Sequence, residues 1–514
     1  MSRTRSWTKE RSSDQTIKRV VLTASVLGSG IVFLDQTIVN VALPAIRSSL
    51  NGSLADQQWV VEAYLLTLSS LLLLGGSLGD VLGRRRVFQA GLIGFGVCSL
   101  VCAAAPSSAV LIAARGMQGV AGALLVPSSL ALILDTFGEG ERAAAIGTWT
   151  AWTGIATVIG PLGGGLLVQA ASWRWIFLIN PIPVVITVTL LRRLPPDRRA
   201  PGRVDWAGGL LCVLGLGGTV FGLIEHSVYG WGDPRVFVPL IAGILLIVAF
   251  LVWERRVPEP MMPLQLFAVR NFAVGNVTTL AMYGGLGVAT FFLVVFLQQV
   301  AGYTPLQAGL ALLPITLVMF TLSRRAGALA DRLGPRLFMS AGPALAGIGL
   351  LLLTRVDAHP DYLTTILPGV LVFALGLAAT VAPLTATVLG SVEPGHSGLA
   401  SGANNAVSRV AGLLAIAAVG AVVSASFVSR LDHDLVRTST AQSAIRAART
   451  RPLVTTAPGV PHAAVVDASV HAFRVGIAIA GGLAILGGLI SLVWIENPPR
   501  RGSLAAPWQS QSHT

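Results

Sequence analysis

Gly76-Ser77-Leu78-Gly79-Asp80-Val81-Leu82-Gly83-Arg84-Arg85-Arg86 lies between two long apolar stretches of this chain. A near copy, Gly327-Ala328-Leu329-Ala330-Asp331-Arg332-Leu333-Gly334-Pro335-Arg336, lies between two others 251 positions later. One such loop is a weak motif. Two in corresponding places indicate a membrane protein built from two related halves, which is how many secondary transporters are made around a central site.

Composition agrees. The 514 residues are 53% hydrophobic and 11% charged, where soluble domains carry about 25% charged residues. A mean hydropathy of +0.73 over the whole length indicates many spans rather than one anchor. The net charge of +13 does not indicate nucleic acid, because the Arg residues fall in short loops between apolar runs and form no basic domain. Cys98, Cys102 and Cys212 all lie within apolar runs and read as small buried hydrophobes. No Cys or His spacing suits a metal.

A span needs about 20 apolar residues. On that basis the chain is expected to be an all-α polytopic membrane protein of fourteen helices. They centre on 20–44, 58–79, 87–105, 109–133, 143–170, 175–191, 206–224, 236–253, 272–300, 305–323, 337–354, 363–389, 400–429 and 472–495. The run to Pro44 is too long for a cleaved signal and reads as the first span. With the N-terminus inside, 24 Lys/Arg fall on the inner side and four in the short outer loops, as the positive-inside rule requires. Both termini are therefore expected in the cytoplasm and the spans in the plasma membrane.

The plan is six helices, two, and six. The expected segments are an N-terminal tail 1–19, a first half 20–191, a linker 192–271 with two extra helices, a second half 272–495 and a tail 496–514. The second half carries a 42-residue outer loop, 430–471, in which Ala441–Arg451 suits a short surface helix.

In the 76–86 loop, Asp80 ends the second helix, Arg84 begins the approach to the third, and Gly76, Gly79 and Gly83 allow close helix contact and a tight turn. A carboxylate there can pair with a basic side chain or a helix N-terminus, as a latch that forms and breaks. Gly76, Asp80, Gly83 and Arg84 would form the first latch, and Asp331 and Arg332 the second. The plainer alternative is a topology signal plus a turn.

The loop at 76–88 resembles the hallmark of the major facilitator superfamily. Other stretches resemble its 14-helix branch, the drug:proton antiporter-2 family of EmrB/QacA type. They are Leu34-Asp35-Gln36-Thr37-Ile38-Val39-Asn40-Val41-Ala42-Leu43-Pro44 in the first helix and Ala114-Arg115-Gly116-Met117-Gln118-Gly119 in the fourth. Gly160-Pro161-Leu162-Gly163-Gly164 resembles the fifth-helix motif of exporters, and Trp173-Arg174-Trp175-Ile176-Phe177-Leu178-Ile179-Asn180 the start of the sixth. The resemblance spans about Val20 to Ile495. It implies a major facilitator fold and export by proton antiport.

Asp35 is the first candidate, because an ionisable side chain within a span is a functional hypothesis by default. It lies about 13 Å inside the outer end of its helix and Arg115 about 9 Å inside its own, so their depths are similar. A nearby cation favours the carboxylate and burial favours the neutral acid, so alternation between the two would load and release a proton. The alternative is a static ion pair that fixes helix packing. Glu62 either extends this cluster or, more simply, snorkels to the outer interface. Gly160, Pro161, Gly163 and Gly164 suit a hinge, or ordinary tight packing.

Gln118, Asn405 and Arg409 are weaker candidates for a substrate cavity. Arg409 lies mid-helix with no deep acidic residue in helices nine to fourteen, and would meet an anionic substrate group or backbone carbonyls. The lack of carboxylates in the tenth and thirteenth helices argues against a preference for dications. Trp173 and Trp175 read as aromatic-belt anchors. Tyr283, Phe291, Phe292 and Phe296 line an apolar cavity or face lipid.

The expected function is export of drugs or other apolar or amphipathic small molecules in exchange for protons, giving multidrug efflux and antibiotic resistance. The partners are the substrate, protons and the bilayer, with no cofactor beyond the proton gradient and no nucleic acid. The alternatives are a dedicated exporter of one natural product or lipid, an uptake symporter of the same fold, and a non-transporting sensor. No nucleophile–base pair appears in the loops, so an enzyme is not expected. The Gly-x-x-x-x-Gly-Lys pattern of ATP-driven proteins is absent as well.

Overall fold

The computed structural model describes residues 2–192, 194, 204–258, 260–393, 397–435 and 441–497. Most of the expected basic segment 192–203 and nearly all of the tail 496–514 lie outside the described residues. Among the described residues the secondary structure is helical.

The first eight helices are α1 (Ser2–Leu50), α2 (Leu54–Leu82), α3 (Arg84–Ala104), α4 (Ser108–Thr136), α5 (Glu139–Ala170), α6 (Trp175–Leu178), α7 (Pro181–Leu191) and α8 (Trp206–Tyr229). Then come α9 (Pro234–Glu254), α10 (Arg270–Gln299), α11 (Pro305–Ala311), α12 (Leu313–Leu333), α13 (Pro335–Leu352) and α14 (Leu367–Gly390). The last three are α15 (Ser397–Leu435), α16 (Gln442–Arg449) and α17 (His462–Trp494). Thirteen helical segments are long and apolar enough to cross a membrane, with α11–α12 acting as one, and the shorter Trp175–Leu191 adds a further apolar segment. These match the fourteen expected spans in order. The protein is an integral membrane protein.

Local chemistry sets the ends. Ser53 and Asp56 form a reciprocal cap at the start of α2, each side chain bonding the other's backbone N–H. Gly83, at φ +106°, and Gly334, at φ +88°, make the turns of the two repeated loops in a region that disfavours side chains. In the sixth span Pro181 and Pro183 supply no backbone N–H, so α6 stops and α7 restarts with Pro181 in its first turn, where proline is tolerated. Asn180 sits at that break. Helix α1 begins at Ser2 and runs unbroken into the first span. No Gly or Pro precedes Gly28 to stop it.

By contact the chain forms two compact units. Unit 1 is Met1–Ile247, Val294–Leu310 and Ser439–Val465, and unit 2 is Val248–Leu293, Ala311–Thr438 and Val466–Thr514. In unit 1, α4 packs on α2 and α3, and α1 on α5. In unit 2, α14 packs in the same way on α12 and α13, and α10 lies against α15, with Gly284 beside Ala411 and Ala415. The repeated loop thus marks a repeated packing scheme. Of the two extra helices, α8 lies along α2, where Trp59 Nε1 donates to Glu225 Oε1 at 2.8 Å. Helix α16 falls inside the stretch expected to form a short surface helix in the outer loop.

Candidate functional site

In unit 1, three helices and the break between α6 and α7 bring polar groups to one buried point. Helix α1 supplies Asp35, α4 supplies Arg115 and Gln118, α3 supplies Ser99, and the α6–α7 break supplies Asn180. Arg115 and Gln118 are three residues apart and share a helix face. Asp35 is fully buried and Arg115 only 1% exposed. Arg115 Nη1 is ion-paired with Asp35 Oδ2. The other carboxylate oxygen, Oδ1, accepts from Gln118 Nε2 at 3.2 Å and from Asn180 Nδ2 at 3.1 Å. Ser99 Oγ accepts from both amides, at 2.8 Å and 3.2 Å.

Arg115 is held from several sides. Its Nη1 also donates to Gln118 Oε1 at 2.7 Å and its Nε to the Val60 carbonyl of α2 at 3.0 Å. The guanidinium lies 4.1 Å from the centre of the Tyr64 ring and 5.8 Å from that of Phe177. A buried ion pair repays its loss of hydration only when its remaining donors and acceptors are satisfied, and here the carboxylate has three donors. Protonating Asp35 would remove the charge that joins α1 to α4. Arg115 would keep its bonds to Gln118 and Val60 and its ring faces.

Asp35, Arg115 and Gln118 therefore come together, and Asn180 and Ser99 join them. The sequence reading quoted Asn180 only as part of a motif and passed over Ser99. A polar residue directly before the Pro-x-Pro of an apolar span was the available signal for Asn180. Glu62 departs from its simpler reading: it does not snorkel but is fully buried on α2, and neither carboxylate oxygen has a hydrogen-bond partner among the described residues. The cause is packing, because the face of α2 around Val60–Tyr64 is covered.

The hinge glycines divide. A Cβ on Gly160 would collide with the side chain of Thr37 and sit 3.2 Å from Ile38 N, and one on Gly164 would fall on Ile38. Both lie against α1 just beyond Asp35. Gly163 faces open space, with only its own helix's Ile159 at 3.7 Å. On the other side, a Cβ on Gly309 of α11 would lie 2.5 Å from the Pro161 carbonyl.

The two repeated loops also differ. Arg84 donates from Nε and Nη2 to Asp80 Oδ1, at 2.9 and 2.8 Å, and pairs through Nη1 with Asp135 of α4 at 2.5 Å. This ties the ends of α2, α3 and α4. Gly76 only touches Pro127, at 3.6 Å, and it is Gly75 whose Cβ would strike the α4 backbone. In the second loop Pro335 stands where Arg84 would be. Asp331 and Arg332 are exposed and make no ion pair among the described residues, so the expected second latch is not formed. Both line a cavity of about 420 Å³ with Asn497. Arg336, in the place of Arg85, keeps that residue's habit. Arg85 bonds the Leu194 carbonyl after α7, and Arg336 Nε bonds the Leu492 carbonyl of α17 at 2.5 Å.

Asn405 is exposed and Arg409 half-buried on α15. Phe291, Phe292 and Phe296 are fully buried, so they do not face lipid. Trp175 is 51% exposed, as a belt residue would be, but Trp173 is only 3% exposed, packed against Phe177 and under Arg174.

Repeated packing of membrane-length helices, with a buried ion pair inside one unit, defines an integral membrane transporter. A model of the Major Facilitator Superfamily matches residues 25–416. Puromycin resistance protein pur8 of Streptomyces alboniger is 35% identical over 489 residues, 93% of this chain and 90% of that protein. The tetracenomycin C resistance and export protein of Streptomyces glaucescens is 35% identical over 78% of this chain and 75% of its own length. Among solved structures, a bacterial homolog of the human lysosomal transporter Spinster, 16% identical, aligns with a TM-score of 0.64 over 94% of this chain and 99% of that one. The chain belongs to the Major Facilitator Superfamily, in agreement with the 14-helix branch that its motifs resemble.

Proposed function

We propose that this protein exports antibiotic-like small molecules across the plasma membrane in exchange for inward-moving protons, with both termini cytoplasmic. Residues 20–191 and 272–495 act as its two transport halves. The observation that carries the reading is the Asp35–Arg115 pair, buried in the membrane and completed by Gln118, Asn180 and Ser99. Asp35 takes up the proton. As the neutral acid it no longer holds Arg115, and α1, clamped beside it by Gly160 and Gly164, is free to shift against α4. Glu62, buried with no hydrogen-bond partner among the described residues, is a second carboxyl group able to carry a proton in the same step.

One charge moving through 100 mV supplies about 2.3 kcal/mol. At about 1.4 kcal/mol per tenfold, that sustains roughly a 50-fold gradient of a neutral substrate. The test is proton release from energised inside-out vesicles on adding a panel of dyes and antibiotics. Release is expected in the wild type and not in Asp35→Asn, and equal release in both would remove Asp35 as the proton site. The puromycin and tetracenomycin C proteins are each named for one compound. That favours, as a second reading, an exporter dedicated to one natural product, for which the panel would give a single response.

A further inference from the structure

The two repeated loops pack in one register within their own units, and that register puts a cavity of unit 2 where unit 1 has a side chain. A Cβ on Gly76 would lie 3.6 Å from Pro127 of α4, and one on Gly327 3.4 Å from Ala382 of α14. A Cβ on Gly91 of α3 would lie 3.0 Å from the Ala121 carbonyl, and one on Gly342 of α13 3.1 Å from the Gly376 carbonyl. In both comparisons the glycine shifts by 251 positions and its neighbour by 255. Pro335 therefore answers to Arg84, Ala386 to Ala131 and Gly390 to Asp135.

In unit 1 the Arg84 guanidinium fills the space between α2 and α4. It holds Asp80 on one side and donates to the Ala131 carbonyl at 3.2 Å on the other, beside Asp135. In unit 2 the proline ring is too short to cross that space and has no donor. The cavity of about 420 Å³ lies there, lined by Asp331, Arg332, Pro335, Ala386, Thr387 and Asn497. Its volume is in the range of small-molecule sites. Asp331 stands where Asp80 does, and with no ion pair among the described residues it is open to a cation. Arg332 replaces Val81 and adds a positive charge to the same lining. Arg336 N donates to Asn497 Oδ1 at 3.1 Å, which leaves Asn497 Nδ2 as a further donor. Leu333, also in the lining, is 56% exposed and Leu329, one turn earlier, 48%, an apolar path for an acyl chain.

We propose that this cavity binds a zwitterion in which a primary ammonium is joined to a phosphate. The ammonium takes the place of the Arg84 guanidinium and donates to Asp331. The phosphate, with several acceptor oxygens, pairs with Arg332 and accepts from Asn497 Nδ2. One acid and one base in the lining match a ligand that carries both charges. The ethanolamine headgroup of a lipid and free glycerophosphoethanolamine share this chemistry. Binding there does not depend on the export reading above.

The test uses the full-length protein in phosphatidylcholine nanodiscs, whose headgroup nitrogen has no N–H to give Asp331, and follows thermal unfolding by tryptophan fluorescence. A ligand that binds only the folded protein raises the melting temperature. Phosphatidylethanolamine in the discs, or free glycerophosphoethanolamine in the buffer, is expected to raise it by about 2–4 °C. A response to the lipid alone identifies a lipid as the occupant, and a response to the free compound shows that the zwitterion suffices. Asp331→Asn, at an exposed position, should abolish the response by removing the partner of the ammonium. Pro335→Arg should abolish it by restoring the guanidinium of the first loop, which fills the cavity and raises the starting melting temperature. A general loss of stability would not imitate that pair of results. The inference is overturned if neither compound shifts the wild type, or if either variant keeps the wild-type shift.

Discussion

Neutralising Asp35 should destabilise the protein less than neutralising Arg115, and the two changes together should cost less than their sum. In Asp35→Asn one oxygen survives to accept from Gln118 and Asn180, but an amide N–H replaces the oxygen facing Arg115 Nη1. The stranded guanidinium keeps Gln118 Oε1 at 2.7 Å, the Val60 carbonyl at 3.0 Å and the Tyr64 ring at 4.1 Å. That places the loss at about 3 kcal/mol, the low end for breaking a buried pair. In Arg115→Met the carboxylate keeps only two neutral amide donors, at 3.2 and 3.1 Å, and the loss should approach about 5 kcal/mol. The double variant buries no unpaired charge, so the coupling should reach about 2 kcal/mol, within the range for residues in direct contact. Unfolding free energies of the four proteins in mixed micelles measure this cycle. Strictly additive losses would refute it, because they would mean that each group is satisfied independently and that the pair holds no force between α1 and α4.

Gly160→Ala should cost about 1–3 kcal/mol by overpacking and suppress transport, while Gly163→Ala should leave both melting temperature and flux close to wild type. Arg84→Ala should lower the flux at a stability cost under about 1 kcal/mol, since its pairs are partly exposed; Arg332→Ala, at a residue with no ion pair among the described residues, should leave flux in the same vesicle assay unchanged. Asn180→Ala should cost about 1–2 kcal/mol by removing a donor to Asp35 and one to Ser99, whereas Asn180→Gln at the proline break should not restore it.

The order and number of the helices were legible in the sequence, because lipid requires about 20 apolar residues for each crossing and basic residues gather at one side. The two copies of the glycine–aspartate loop announced the repeat, and the packing of α4 and α14 repeats accordingly. Asp35 and Arg115 were legible for a similar reason: a charge inside an apolar run stands out against its neighbours. What the sequence could not supply was the partner of each group. Asn180 belongs to the site only because two prolines break the sixth span at the depth of Asp35. Glu62 and Trp173 had the composition of interface residues, yet neighbouring helices cover both. Gly160 and Gly163 stand in one motif, but only Gly160 meets α1, since three residues rotate a helix about 300°. The second loop repeats the aspartate but has Pro335 in place of the arginine that would bind it, and no such pair is made among the described residues. Hydrophobic patterning along the chain thus set which segments cross the membrane. Which side chains meet depended on helix rotation and close glycine contact, properties of packed pairs that no single segment encodes.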